Sequence, residues 1–224
     1  MSVHDGHRKR LKQRFLTEGL DQFTDVQVLE LLLFFCIARR DTNPIAHNLL
    51  DHFGSLSQVL EAPVEELCKV EGIGENTAVF LRLVTQVGRY YMTDRASKAK
   101  VLPTLESCAR YLQTFFFGRN VETVYLLCLD AKGQLIREKK LSDGCVNMAL
   151  ISPREIFLEA LKDKAVNIIL VHNHPSGDPT PSRADRELTD NVAGAGEQMD
   201  IPLLDHIIIG DNRYTSFKEQ KLLR

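Results

Sequence analysis

Residues 166–178 have the sequence Val-Asn-Ile-Ile-Leu-Val-His-Asn-His-Pro-Ser-Gly-Asp. The apolar part, from Val166 to Val171, predicts a strand that is buried on both faces. His172 and His174 follow it directly. Side chains two residues apart in a strand point to the same side, so the two imidazoles can converge on one ion. This stretch therefore predicts a core strand with a metal site at its end.

A carboxylate follows beyond a turn that contains three prolines and one glycine, in residues 175–181. Proline and glycine restrict the path of the backbone, and a metal site requires rigid geometry. Ser182 and Asp185 then have the spacing of a helix N-terminus, so both have an alternative interpretation as helix caps alone. Together with His172 and His174, Asp185 completes three ligands and leaves a metal one position for water, as in hydrolytic sites.

Strands and helices alternate in the second half of the chain, from residue 103 to residue 224. Such interleaving predicts a mixed α/β or α+β fold. Ser152 and Glu155 have the spacing of a capping box around Pro153, which predicts a helix start. The predicted elements are a helix over 104–116, a hairpin of strands 123–129 and 135–141, a helix over 153–162, a strand over 166–171, a helix over 182–193 and a strand over 201–209.

The first half, residues 1–98, predicts an all-helical domain. Residues 95–103 are polar and small and end in a proline, which is typical of a linker. The sequence thus predicts two domains, over residues 1–98 and 103–224. The helices expected in the first are over residues 8–16, 24–38, 44–54, 55–60, 63–68 and 76–92.

Bulk composition favours an ordinary globular protein. The formal net charge is −2, so charge alone favours neither nucleic acid nor a membrane surface. The longest apolar run, Val28 to Ala38, is about half of the roughly 20 residues that a membrane-spanning helix needs. The N-terminus does not resemble a secretory signal. Five widely spaced cysteines without a CxxC pair indicate reduced thiols, so we expect a cytoplasmic protein with no membrane partner.

The site motif resembles a known family. His172-x-His174-Pro175, seven further residues, Ser182, two more and Asp185 is similar to the JAMM motif of MPN-type zinc metallopeptidases. The sequence His-Asn-His-Pro-Ser-Gly, with Leu-Leu-Asp-His at 203–206, resembles the RadC branch in particular. The resemblance covers residues 103–224, and the helical half is similar to the N-terminal region of RadC proteins. It implies a cytidine-deaminase-like MPN (JAB/JAMM) α/β domain behind an all-helical one.

The resemblance also implies a chemistry. A Zn²⁺ ion would be held by His172, His174 and Asp185, with water in the fourth position. Glu122, just before the first strand, would be the general base, and Glu138 in the second strand is the alternative. The hydroxyl of a serine, Ser182, would donate a hydrogen bond to the oxyanion. The implied activity is cleavage of an amide or isopeptide bond in a peptide or protein of unknown identity.

Asp205 and His206 are charged or polar residues at the opening of an apolar strand, where they need hydrogen-bond partners. A metal-bound histidine usually donates its second ring N–H to an acceptor. We expect Asp205 to support the ligands in this way and His206 to have a structural role.

Two other functional hypotheses remain open, and the first, which the resemblance to RadC proteins also implies, is a DNA-associated factor of the DNA-repair type that binds DNA through its N-terminal region. Gly72-Ile73-Gly74 between two predicted helices has the form of a helix-hairpin-helix turn, which binds DNA phosphates through backbone amides. Such a turn is also common in plain helix packing. Residues 1–98 contain 12 Lys and Arg against 13 Asp and Glu, and Glu71 and Glu75 flank the glycines, which disfavours strong binding. The other hypothesis is an inactive scaffold that keeps the fold without chemistry.

Overall fold

The structure is a computed structural model that describes residues 3–38, 40–97, 105–144, 151–211 and 213–223. The chain divides into two compact units, Met1–Tyr90 and Tyr91–Arg224. The sequence placed a linker at residues 95–103. Its first three residues belong to a helix that ends at Ser97, and residues 98–104 lie outside the described part of the chain.

The first unit is helical wherever it has regular structure in the described ranges. Its core contains Leu29, Leu33, Leu49, Leu67 and Leu81, each of which is fully buried. The helices are α1 (Val3–Glu18), α2 (Asp25–Cys36), α3 (Asn43–Phe53), α4 (Leu56–Glu61), α5 (Val64–Leu67) and α6 (Glu75–Ser97), of which α6 continues into the second unit.

The starts of α2 and α4 lie where the sequence predicted them, directly after Thr24 and Ser55. Thr24 forms a capping box with Gln27 at the start of α2, and Ser55 accepts a hydrogen bond from the backbone of Gln58 at the start of α4. Helix α6 is longer than predicted and extends five residues past Met92 to Ser97. The residues that suggested a linker there have ordinary helix propensities, and no proline interrupts them before Pro103.

The turn at Gly72 and Gly74 connects α5 to α6. Gly72 has a φ of +93°, and a Cβ at this position would lie 2.9 Å from Cδ1 of Ile45 in α3. Ile73, between the glycines, is buried in the core of the unit. Backbone conformation and packing thus require a glycine at position 72. DNA binding by this turn stays a prediction.

Replacing Gly72 by alanine should lower the free energy of unfolding by about 1–3 kcal/mol, because alanine resists the positive φ and its methyl group meets Ile45. Gly74→Ala is the matched control, since no atom lies within 4 Å of the added Cβ. Chemical denaturation of the two variants measures the difference. Equal stability of both variants would contradict this account of the turn.

The second unit is built on one five-stranded sheet. Its strands are β1 (Thr123–Leu129), β2 (Leu135–Asp143), β3 (Asn167–Asn173), β4 (Leu203–Ile209) and β5 (Tyr214–Ser216), in the order β2-β1-β3-β4-β5. β3 and β4 are parallel, whereas the other neighbours are antiparallel. The helices are α7 (Leu105–Phe116), α8 (Pro153–Lys162) and α9 (Arg183–Met199).

The sheet confirms a mixed α/β domain after a helical region, with differences at the ends of elements. β3 continues past the predicted end at Val171, so that His172 lies within the strand. α9 continues six residues past the predicted end at Ala193. β5 was not predicted, because a three-residue strand is too short for an alternating pattern.

Alternation along the strands separates two faces of the sheet. One face packs against α8 and α9 through residues such as Leu126 and Leu170. The other packs against α7 through residues such as Leu127 and Val171. His172 is paired with Val124, which belongs to the first face, so its ring lies on the side of α9. Within the described ranges, every helix is too short or too polar to cross a lipid bilayer.

Candidate metal centre

The sheet holds both histidines at the end of β3. His172 is paired with Val124 of β1 on one side and with Ile208 of β4 on the other. The backbone N–H of His174 donates to the carbonyl of Ile209 at 2.9 Å, which continues the β3–β4 pairing beyond the strand. Both histidines are therefore fixed by backbone hydrogen bonds to the sheet.

Asp185 comes to the same place through the start of α9. The hydroxyl oxygen of Ser182 accepts from the N–H of Asp185 at 3.2 Å, and the N–H of Ser182 donates to Oδ2 of Asp185 at 2.7 Å. This is a complete capping box. The structure thus places Asp185 both as a helix cap and beside the two histidines, whereas the alternative interpretation of the sequence was a helix cap alone.

The three side chains converge within the distances that one ion requires. Nε2 of His172 lies 3.1 Å from Nε2 of His174 and 3.3 Å from Oδ1 of Asp185, and Nε2 of His174 lies 3.4 Å from Oδ2 of Asp185. Tetrahedral bonds of about 2.0–2.1 Å place neighbouring ligand atoms roughly 3.3–3.4 Å apart. His172 and Asp185 have exposures of only 0% and 1%.

The hydrogen bonds of the cluster require a positive charge between its members. Nδ1 of His174 lies 2.7 Å from the carbonyl oxygen of Asp178, which can only accept, so Nδ1 carries the hydrogen. In a neutral ring, Nε2 then presents a lone pair to the carboxylate of Asp185. Two acceptors that face each other in a buried site repel unless a proton or a metal ion lies between them.

The directions of the pKa shifts in the cluster are consistent with this requirement for a positive charge. Burial alone raises the pKa of Asp185, but the hydrogen bonds that His172 and His174 donate when Nε2 is protonated outweigh it and hold that pKa far below its usual range. The hydrogen bond with Asp185 raises the pKa of His174, while burial opposes this shift. Asp185 is therefore ionised and attracts a cation, and the donor set of two imidazoles and one carboxylate fits a divalent metal such as zinc.

Glu122 is close enough to this cluster for its carboxyl group to interact electrostatically with all three residues. It directly precedes β1, and alternation puts it on the same face as Val124, which is the face of His172. Burial raises the pKa of Glu122, the charge of His172 lowers it, and the charge of Asp185 raises it. The charges of the candidate ligands therefore act directly on the carboxyl group of Glu122.

Asn173 holds the backbone on both sides of Glu122. Its side-chain oxygen accepts from the N–H of Thr123 at 2.9 Å, and its side-chain nitrogen donates to the carbonyl of Val121 at 3.1 Å. The carbonyl of Glu122 itself accepts from the N–H of Gly144 at 2.8 Å. This role of Asn173 was not predicted from the sequence. The available signal was its position between two histidines in a strand, where its side chain points the other way.

Glu138, the alternative general base, lies elsewhere. It is exposed and is paired with Leu127 of β1 in an uninterrupted part of the register. Leu127 packs on the face covered by α7, and residues directly opposite each other across two strands share a face. Glu138 is therefore on the face opposite to His172, and the structure does not bring it to the site.

Asp205 was expected to support the candidate ligands and His206 to be structural, but the structure shows the reverse. In β4, His206 is opposite Leu170 and lies on the face of His172, whereas Asp205 lies on the other face. Nε2 of His206 is 2.9 Å from Nδ1 of His172. Burial lowers the pKa of His206 well below its ordinary value, so this ring is neutral.

Asp205 instead connects its strand to the C-terminal turn. Its carboxylate accepts from the N–H of His206 at 2.8 Å, the hydroxyl of Ser216 at 2.5 Å and the N–H of Lys218 at 3.0 Å. Burial raises the pKa of Asp205, and the hydrogen bond from Ser216 opposes that shift. Its role is to hold β4 and the chain after β5 together.

Comparison with known proteins gives two family matches. Residues 102–222 match the RadC-like JAB domain, and residues 6–79 match the UPF0758 N-terminal region. A UPF0758 protein of Ruegeria pomeroyi is 38% identical over 217 residues, which cover 97% of each chain. A UPF0758 protein of Rhodobacter capsulatus is 39% identical over 95% of this chain and 100% of its own. One from Fusobacterium nucleatum is 35% identical over 98% of each.

Asp185→Asn should lower the affinity for Zn²⁺ by more than about 100-fold, the upper end of the effect of losing an outer partner of a ligand. The amide removes the negative charge, while its oxygen still accepts from the N–H of Ser182, so the helix cap is retained. His52→Ala, which changes an exposed histidine of the helical unit, is the control. Calorimetric titration of the purified proteins with Zn²⁺ measures the difference, and unchanged affinity in Asp185→Asn would exclude this ligand set.

Metal binding should weaken as the pH falls. His174 must lose its proton from Nε2 to bind a metal, and its pKa is raised, so protons begin to compete at a higher pH than for an ordinary histidine. Zn²⁺ affinity measured from about pH 8 to pH 5 should fall throughout the lower part of that range, with protons released on binding. An affinity that does not change with pH would show that His174 is not a ligand.

Proposed function

The chain belongs to the family of proteins with a RadC-like JAB domain, and we propose that it is a zinc-dependent hydrolase that cleaves an amide bond in a peptide or protein. JAB domains are related to metallohydrolases. The observation that carries the proposal is the convergence of His172, His174 and Asp185 on one point, with ligand-atom distances of 3.1–3.4 Å. Three ligands leave one coordination position for a reactant.

The surroundings of the cluster are consistent with access for a substrate. His172 and Asp185 are buried, but the side chain of His174 retains 16% of its exposure and Ser182 is exposed. Zinc bound there would lower the pKa of a water molecule and polarise the carbonyl group of a substrate. A structural zinc site, by contrast, has four protein ligands and no open position.

Glu122 is the proposed general base. Its carboxylate would take a proton from the attacking water and then donate it to the leaving amine. A base works best with a pKa near the working pH, and burial shifts the pKa of Glu122 upward in that direction. Asn173 contributes by holding the backbone on both sides of Glu122, which limits the positions that its carboxylate can take.

Ser182 is the proposed donor to the substrate carbonyl oxygen. Its hydroxyl oxygen already accepts from the N–H of Asp185, and its exposed position leaves the hydroxyl hydrogen free to point outward. A hydrogen bond to the carbonyl oxygen strengthens as negative charge develops there in the transition state. As the cap of α9, Ser182 lies within one helical turn of Asp185, which supports this proposed role.

Glu122→Gln should reduce hydrolysis by about 100-fold to 10,000-fold, which is the usual contribution of a general base, while Zn²⁺ binding is retained. Glu138→Gln, on the opposite face of the sheet, is the matched control and should leave both properties unchanged. The assay uses the zinc-loaded protein with two kinds of probe. One is a pool of internally quenched peptides, and the other is a dipeptide whose isopeptide bond is formed with the side-chain amine of a lysine. Release of fluorescence or of free amine reports cleavage.

A chelator should stop this cleavage and added Zn²⁺ should restore it. Hydrolysis that survives complete removal of metal would contradict the proposal, as would a zinc-loaded protein that cleaves none of the probes. Full activity in Glu122→Gln would leave the metal site in place but remove Glu122 as the base.

A further inference from the structure

A chain of buried hydrogen bonds connects two of the candidate ligands behind the metal site. The hydroxyl of Thr189 donates to the backbone carbonyl of Asp185 at 2.5 Å, and its oxygen lies 2.7 Å from Nδ1 of His206. Nε2 of His206 lies 2.9 Å from Nδ1 of His172. Thr189, His206 and His172 are all buried. The chain starts on the backbone of one ligand and ends on the ring of another.

The direction of each hydrogen bond follows from the carbonyl end. A carbonyl oxygen only accepts, and a hydroxyl has one hydrogen, so Thr189 donates to Asp185 and must accept from Nδ1–H of His206. A neutral imidazole has one N–H, so Nε2 of His206 accepts. The remaining hydrogen bond must then be donated by Nδ1–H of His172, which leaves the lone pair of His172 on Nε2.

The opposite direction would require a charged His206 that donates from both nitrogens. That ring is fully buried and stacks on Phe217 with ring centres 4.9 Å apart. Its two nitrogens face Thr189 and His172, and neither carries a negative charge that would compensate a buried cation. Burying an uncompensated charge is costly, so the neutral arrangement is favoured.

We propose that Thr189 and His206 are positioning residues that hold His172 as the Nδ1–H tautomer and thereby direct the lone pair of Nε2 to the metal. This inference rests on the proposed metal site. Its consequence is that His172, His174 and Asp185 all present acceptors to one point, because His174 is held as the same tautomer by the carbonyl of Asp178. The site is therefore organised for a cation before one binds.

The tautomer can be read in the metal-free protein without any assay of activity. ¹⁵N NMR of the imidazole rings, in mildly alkaline buffer and with His172→Gln for assignment, should show His172 and His206 protonated on Nδ1. A spectrum in which His172 carries its hydrogen on Nε2 would overturn the proposal.

Two pairs of variants test the effect on the metal. Thr189→Val removes the hydroxyl at nearly constant shape, whereas Thr189→Ser keeps it. His206→Met removes both ring nitrogens, which contact His172 and Thr189. In His206→Gln, by contrast, the side-chain amide can still accept from His172 and donate to Thr189. We expect the first member of each pair to bind Zn²⁺ about 10-fold to 100-fold more weakly than wild type and the second to stay within a few-fold. Circular dichroism shows which variants are folded.

The outcomes separate this inference from the proposed function. If the wild type binds no Zn²⁺, the proposed metal site is wrong, while the NMR spectrum still decides the tautomer of His172. If the wild type binds Zn²⁺ and both members of each folded pair bind it equally well, Thr189 and His206 are structural only and the inference fails. Thr189→Val should also show His172 shifted toward protonation on Nε2, which a purely structural residue would not cause.

Discussion

Burial of the Asp185 carboxylate between two imidazoles is the constraint on which the site depends. Asp185 is 1% exposed and its carboxylate stays ionised, so a positive charge, either a proton or a metal ion, has to lie beside it. The second nitrogens of His172 and His174 are engaged by neighbours, which turns Nε2 of both rings toward the carboxylate. Removal of this charge would leave two imidazoles and no negative charge in the cluster, which would weaken its attraction for a cation.

The topology of the sheet is what brings the charge to the histidines. β3 and β4 are parallel, and the connection between them passes through α9, so the N-terminus of α9 lies near the C-terminal end of β3. A helix N-terminus favours a carboxylate, and the capping box with Ser182 fixes its orientation. The turn over residues 175–181 can therefore connect a candidate ligand at the end of a strand to a candidate ligand at the start of a helix.

The other strands contribute supports rather than ligands. β1 begins beside Glu122, whose backbone is held by Asn173 from β3, and β4 contributes His206 behind His172. The sequence could not identify these supports, because they depend on which strands are neighbours and in which register. It had assigned the supporting role to Asp205, and a shift of one residue along a strand changes the face on which a side chain lies.

The sequence by itself determined the class of the fold, most of the elements and the residues that can bind a metal, because these follow from local periodicity and spacing. Two histidines two apart in a strand share a face, and Ser182 and Asp185 have the spacing of a helix cap. Only the tertiary structure showed that Glu122 lies on the face of His172 and Glu138 on the opposite face, because the face of each residue depends on strand pairing. It also decided that His206 rather than Asp205 contacts His172, since residues far apart in sequence meet only through the register of the sheet.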